Sequence, residues 1–209
     1  MRSRLYAILD VDLLVVRGLD ARDVFDAWLD AGVRLIQLRA KSLPSGAMLD
    51  LADALAVQAR AAGATFIVND RADVARLSGA DGVHVGQTDL APADARAVVG
   101  DAAVVGVSTH NDEQARRAVS EAANYVAIGP VFSTSSKERP DPVVGLDGVR
   151  RARAIVSDAA GLPLVAIGGI TLERATSVIE AGADSVAVIS DLLVGAPAVR
   201  VREFLRALE

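Results

Sequence analysis

Short apolar runs alternate with helical segments eight times along this chain, and that rhythm limits the folds open to it more than any other feature. The runs are Arg4–Leu9, Val33–Leu38, Thr65–Val68, Gly82–Val85, Ala103–Val107, Asn124–Ile128, Leu164–Ala166 and Ser185–Val188. Between and after them, helical spacing falls on Asp20–Ala31, Ser45–Ala62, Ala72–Leu77, Ala91–Val99, Asp112–Ala122, Leu146–Ser157, Leu172–Ala181 and Val199–Leu208. Strands joined through a helix run parallel, so their C-terminal ends share one edge of the sheet. Gly32, Gly63 and Gly182 each follow a helix, where glycine can take the left-handed cap conformation. Eight such units in 209 residues predict an α/β chain folded as one (β/α)8 (TIM) barrel over residues 1–209. A doubly wound open sheet is the competitor and would gather its ligand groups at one switch point. Polar, glycine-rich segments follow nearly every run, which a ring explains better.

Composition removes several classes of function. There is no cysteine, so no disulfide framework, thiolate metal site or cysteine nucleophile is available. Apolar residues make up 52% and aromatics 3%, as suits aliphatic strands buried under helices. The net charge of -5 is spread without a basic run, which argues against nucleic acid as a partner. The uncharged run Ala122–Ser136 is shorter than the ~20 residues of a membrane-spanning helix and contains Gly129-Pro130. The first residues lack a signal-peptide pattern, so cytoplasmic residence is expected. Lys41 and Lys137 are the only lysines beside 20 arginines, and His84 and His110 the only histidines.

The strand ends carry the chemistry. The third and fourth strands end in Asn69-Asp70 and in a segment running to Asp89. Two carboxylates beside Asn69 and Gln87 suit a hard cation that also holds a phosphate. The competing reading is that both aspartates cap the helices that follow. After the second strand, alternation sets Gln37, Arg39 and Lys41 on one inward side as an anion grip. After the fifth, Ser108-Thr109-His110 either meets a ligand or caps the helix from Asp112, and capping is the simpler explanation. His84 is expected as a satisfied barrel histidine. The segment Val131–Val144 breaks the rhythm and offers Thr134, Ser136 and Lys137 in a loop long enough to close on a substrate. Gly168-Gly169 and Ile189-Ser190 follow the last two strands, where this fold binds phosphate on bare N–H groups. No nucleophile or paired acid and base stands out. That inventory fits a reaction limited by a departing anion.

The segments QLRAK, VNDRAD, GADGVHVGQTDL, GVSTH, YVAIGPVFSTSSK, AIGGI and AGADSVAVIS, in this order, resemble the thiamine-phosphate synthase family over nearly the whole chain. The resemblance implies a (β/α)8 barrel that joins 4-amino-2-methyl-5-hydroxymethylpyrimidine diphosphate to a thiazole phosphate and releases diphosphate with Mg2+. It implies that Gln37, Arg39, Lys41, Asn69, Ser108 and Lys137 hold the pyrimidine diphosphate, with Arg39, Lys137 and Ser108 as the catalytic set. Asp70 and Asp89 would bind Mg2+. Thr134, Ser136, Gly169, Ile189 and Ser190 would hold the thiazole phosphate. The implied mechanism is dissociative. The chain departs from the family at Ala40, where Glu is usual, and at Ser136, where Thr is frequent. Its partners would be these small molecules, and association with further copies of itself is left open. Two alternatives remain at this point: a thiazole tautomerase, which would need a proton-transferring histidine and no diphosphate grip, and a non-catalytic sensor of thiamine metabolites.

Overall fold

In the computed structural model, which describes residues 3–134, 141–159 and 161–209, eight parallel strands close into a barrel in sequence order. The strands are β1 (Leu5–Asp10), β2 (Leu35–Arg39), β3 (Thr65–Asn69), β4 (Gly82–Val85), β5 (Val104–Thr109), β6 (Tyr125–Ile128), β7 (Leu164–Ile167) and β8 (Ser185–Val188). Closure runs through the pairing of Leu5 with Val186 and Ala7 with Val188. An open doubly wound sheet is thereby excluded. Several strands extend one or two residues beyond the sequence expectation, ending on polar residues such as Asp10, Arg39, Asn69 and Thr109. The ladder continues until the side chains reach the rim, so it includes the residues that carry the chemistry.

The helices are α1 (Val11–Arg17), α2 (Ala21–Asp30), α3 (Ser45–Ala61), α4 (Ala72–Ser78), α5 (Pro92–Val99), α6 (Asp112–Ser120), α7 (Gly145–Ala159), α8 (Leu172–Glu180) and α9 (Pro197–Ala207). Helix α1 was not expected. Asp10 caps it by accepting from the Leu13 N–H at 3.1 Å. Strand β1 therefore passes straight into a helix, whose Val11 and Leu14 join the apolar layer outside the strands. Among the described residues, no helix is long and apolar enough to cross a membrane.

Two apolar layers hold the barrel. The larger lies between the strands and the helical ring, and includes Trp28, Phe25, Phe66, Leu55 and Phe204, all essentially buried. The smaller fills the barrel interior with Tyr6, Ile8, Leu35, Ile67, Tyr125, Ala127, Val165 and Ala187. Strand alternation sends neighbouring residues to different layers, so Ala7 packs outward and Tyr6 inward. Ala40 joins the outer layer and faces away from the barrel axis. The interior layer fills the floor and leaves a cavity above it at the C-terminal ends of the strands.

Candidate active site

The cavity measures about 330 Å³ and opens at the C-terminal rim. Gln37, Arg39, Asn69, His84 and Ser108 line one side. Thr134, Gly168, Gly169, Ile189 and Ser190 line the other. Residues spread over 150 positions of sequence thus meet because parallel strands bring every βα loop to one edge.

On the first side, Arg39 closes β2 and reaches Asp10 at the end of β1, with Nη1 2.5 Å from Oδ2. Asp10 is only 5% exposed, so its carboxylate fixes the guanidinium at the cavity wall. Gln37 is buried below it and donates from Nε2 to the Tyr6 hydroxyl at 2.8 Å. Lys41 does not share the inward face expected for it. The alternation ends with β2, because the Lys41 and Ser42 N–H groups turn aside to the Asp12 carboxylate at 3.0 and 3.2 Å. The half-exposed Lys41 side chain instead meets Asp70, with Nζ 2.7 Å from Oδ2.

Asp70 and Asp89 lie beside one another. The Asp70 N–H donates to the His84 carbonyl at 2.8 Å, which ties the β3 end to β4. Its φ of 63° is the left-handed region that non-glycine residues rarely occupy. Asp89 folds back so that its Oδ2 accepts from the Gly86 N–H at 2.8 Å. Burial first, then the neighbouring Asp89, raises the Asp70 carboxyl above its ordinary pKa, while Lys41 pulls it down. Neither aspartate caps a helix: the residues before α4 and α5 are Arg71 and Ala91, without side-chain cap bonds. The capping alternative for this pair is therefore overturned.

Capping of the next helix is the simpler sequence reading of Ser108-Thr109-His110, and the structure does not bear it out. Asn111 takes that role, accepting from the Gln114 N–H at 2.9 Å, while Gln114 Oε1 accepts from the His110 N–H at 2.7 Å. Ser108 is left at the cavity wall, with Oγ 2.8 Å from His84 Nε2. His84 also contacts the Tyr125 hydroxyl through Nδ1 at 2.8 Å, as expected of a satisfied barrel histidine. His110 lines the cavity, held by the Gly129 carbonyl at 2.6 Å.

On the second side, Gly168 and Gly169 have φ of 102° and 62°. A Cβ on Gly169 would lie 2.4 Å from the Ser133 carbonyl oxygen, so this turn has room only for glycine. The turn leads into α8, whose Leu172 N–H donates to Asp191 at 3.1 Å. Ser136 and Lys137 lie outside the described residues.

Sequence reasoning missed Asp10, Tyr6, Tyr125, Asp191 and Arg174. Arg174 lines the cavity from the first turn of α8, over the Phe132 ring at 4.7 Å, and donates to the Gly169 carbonyl at 3.2 Å. A cation in a first helical turn opposes the helix dipole, and that signal was readable in the sequence.

Residues 5–192 match the family described as thiamine monophosphate synthase. The chain is 50% identical over 207 residues to the thiamine-phosphate synthase of Koribacter versatilis, covering 98% of this chain and 95% of that one. It is 41% identical over 205 residues to that of Chloroflexus aurantiacus, covering 98% and 92%. Among solved structures, thiamine phosphate pyrophosphorylase from Pyrococcus furiosus aligns with a TM-score of 0.85 at 30% identity, covering 98% of this chain and 95% of that one. These likenesses span the whole rim, and the chain belongs to the thiamine monophosphate synthase family, with the transferase activity of a thiamine-phosphate diphosphorylase.

Proposed function

We propose that the cavity takes the pyrimidine diphosphate on its Arg39 side and the thiazole phosphate on its glycine-turn side, and joins them by a dissociative route. The observation that carries this reading is that one cavity is lined on one side by Gln37, Arg39, Asn69 and Ser108, with the Lys41, Asp70 and Asp89 cluster at the adjoining rim, and on the other by Gly168, Gly169 and Ser190. Lys137, outside the described residues, would add its ammonium to the first group and Ser136 its hydroxyl to the second.

The residues present fit Mg2+. Asp70 and Asp89 offer only oxygen donors, and their mutual repulsion is what a cation relieves. Among the described residues no group of three or more histidine, cysteine or acidic side chains surrounds a metal position. The remaining ligands would then be water and substrate phosphate, the usual condition for this ion. Bound there, Mg2+ would neutralise charge on the diphosphate.

The chain's own groups do the rest. Arg39, braced by Asp10, would grip the diphosphate as the C–O bond breaks and its electron pair leaves with oxygen. Gln37, Asn69 and Ser108 would orient the pyrimidine. Gly169, Thr134, Ile189 and Ser190 would hold the thiazole phosphate so that the ring nitrogen faces the methylene cation and forms the C–N bond. The thiazole would be hydroxyethylthiazole phosphate, or carboxythiazole phosphate, whose carboxylate would leave as CO2 with its bonding electron pair kept by the ring as the C–N bond forms. Both substrates carry charge that keeps them where they are made, so the proposal sets the reaction in the cytoplasm. Every group invoked comes from one chain, so a homo-oligomer would not be needed to complete the site.

Incubation with both substrates and Mg2+ tests the reading. Diphosphate and thiamine phosphate should appear together, and a chelator should stop both. Full turnover by Asp89→Ala would remove the metal assignment.

A further inference from the structure

Five side chains are hydrogen bonded in series across the barrel floor, from β2 to β5. Gln37 Nε2 donates to Tyr6 Oη at 2.8 Å. Tyr6 Oη lies 3.0 Å from Tyr125 Oη, and Tyr125 Oη lies 2.8 Å from His84 Nδ1. His84 Nε2 lies 2.8 Å from Ser108 Oγ. Both ends of the series line the substrate cavity, whereas Tyr125 is fully buried beneath it.

The series is built into the fold. Gly106 on β5 leaves the space for the Tyr125 ring, since a Cβ there would stand 2.0 Å from Cζ and 2.3 Å from the hydroxyl. The ring stacks on His84 at 5.4 Å between centroids and meets Tyr6 edge-on at 6.0 Å. Burial drives both phenols well above their ordinary pKa, so each keeps one proton to donate.

Counting protons gives the series a direction. Tyr6 accepts from Gln37, so its proton goes to Tyr125. Tyr125 then accepts from Tyr6 and donates to His84 Nδ1. His84 must carry its proton on Nε2 and donate to Ser108 Oγ. The Ser108 proton is left for the cavity. We infer that Tyr6, Tyr125 and His84 are positioning residues that fix one histidine tautomer and thereby make Ser108 a hydrogen-bond donor to the pyrimidine diphosphate. The identity of that acceptor rests on the function proposed above; the tautomer does not. Turning the Gln37 amide over would reverse every bond in the series and make Ser108 an acceptor from the cavity.

Nitrogen-15 NMR of histidine-labelled protein decides the matter, because His84 and His110 are the only two rings and His110→Gln assigns them. The expected spectrum has His84 protonated at Nε2 with Nδ1 as acceptor. Tyr125→Phe keeps the ring stack and removes the relay. It should mix the two tautomers and lower kcat about tenfold, the order of one lost hydrogen bond, with the KM for thiazole phosphate unchanged. A proton on Nδ1 in the parent protein overturns the inference. So does an unchanged His84 tautomer in a folded Tyr125→Phe. The parent spectrum decides even if that variant does not fold, and it needs no turnover, so its failure is distinct from failure of the proposed reaction.

Discussion

The Lys41 ammonium sits 2.7 Å from the Asp70 carboxylate. It therefore occupies the carboxylate that the proposed divalent ion would need. The lysine is 52% exposed, and such ion pairs contribute ~1 kcal/mol or less. On the proposed function, exchange of the lysine from carboxylate to diphosphate would thus be cheap when metal and substrate arrive together. Lys41→Met should bind Mg2+ alone about threefold tighter, since a competing cation is gone. The same variant should raise the KM for the pyrimidine diphosphate roughly tenfold or more, through loss of a charge-assisted contact. Calorimetric titration and steady-state kinetics read the two effects. Weaker Mg2+ binding by Lys41→Met would refute the exchange.

Asp70 makes metal-free stability depend on pH. Its carboxyl is raised, first by burial and then by Asp89. A raised carboxyl holds its proton more tightly in the folded chain than in the unfolded one. Its contribution is therefore full below the ordinary carboxylate range and is lost as pH rises through the raised value. Asp70→Asn removes that loss, and Asn tolerates the φ of 63°. Without metal, the variant should melt about 2 °C above the parent at neutral pH, and the gap should close in acid. Mg2+ should raise the Tm of the parent and not of the variant. Thermal melts with and without the ion check both, and an equal Mg2+ effect on the two proteins would count against Asp70 as a ligand.

The barrel was legible because apolar period, helix boundaries and glycine returns agreed along the chain. The convergence of positions 37, 70, 89 and 190 followed from topology alone. Helix α1 was hidden because its inward face is short and its outward face is also apolar: Val11 and Leu14 are buried, whereas Val15 and Val16 are 71% and 83% exposed. Lys41 was misplaced because alternation holds only while the ladder lasts, and Asp12 ends it there. Ser108 was masked by Asn111, an equally good cap three residues on. Tyr6 and Tyr125 carried no readable signal, since nothing local reveals that two hydroxyls 119 positions apart will meet.

Arg174 brings positive charge to the glycine turn, where the proposed thiazole phosphate would otherwise meet backbone N–H groups alone. Its stack on Phe132 and its bond to the Gly169 carbonyl hold it at the glycine turn. Arg174→Ala should raise the KM for thiazole phosphate at least tenfold, the scale of a charge-assisted contact, and leave that for pyrimidine diphosphate unchanged. Arg174→Lys should recover part of the loss, because an ammonium keeps the charge without the planar fork. Steady-state kinetics with each substrate varied in turn measures the split. Equal effects on both substrates would remove Arg174 from the thiazole side.

Asp191 brings a negative charge to the cavity wall beside the glycine turn, and α9 neutralises it. Its Oδ2 accepts from Arg200 Nη2 at 2.7 Å and from the Leu172 N–H at 3.1 Å. Both side chains of the ion pair are mostly buried, at 15% and 13% exposure. Removing one partner of such a pair leaves an uncompensated charge. Arg200→Met should therefore lower Tm by about 5 °C and raise the KM for thiazole phosphate, because the bare carboxylate repels the phosphate. Arg200→Met with Asp191→Asn removes both charges and should recover most of the KM while losing part of the loop's anchorage. The sign of this double-mutant cycle is the measurement. If the double variant binds thiazole phosphate worse than Arg200→Met alone, Asp191 serves the ligand directly and the balance of charge at this wall is other than the geometry indicates.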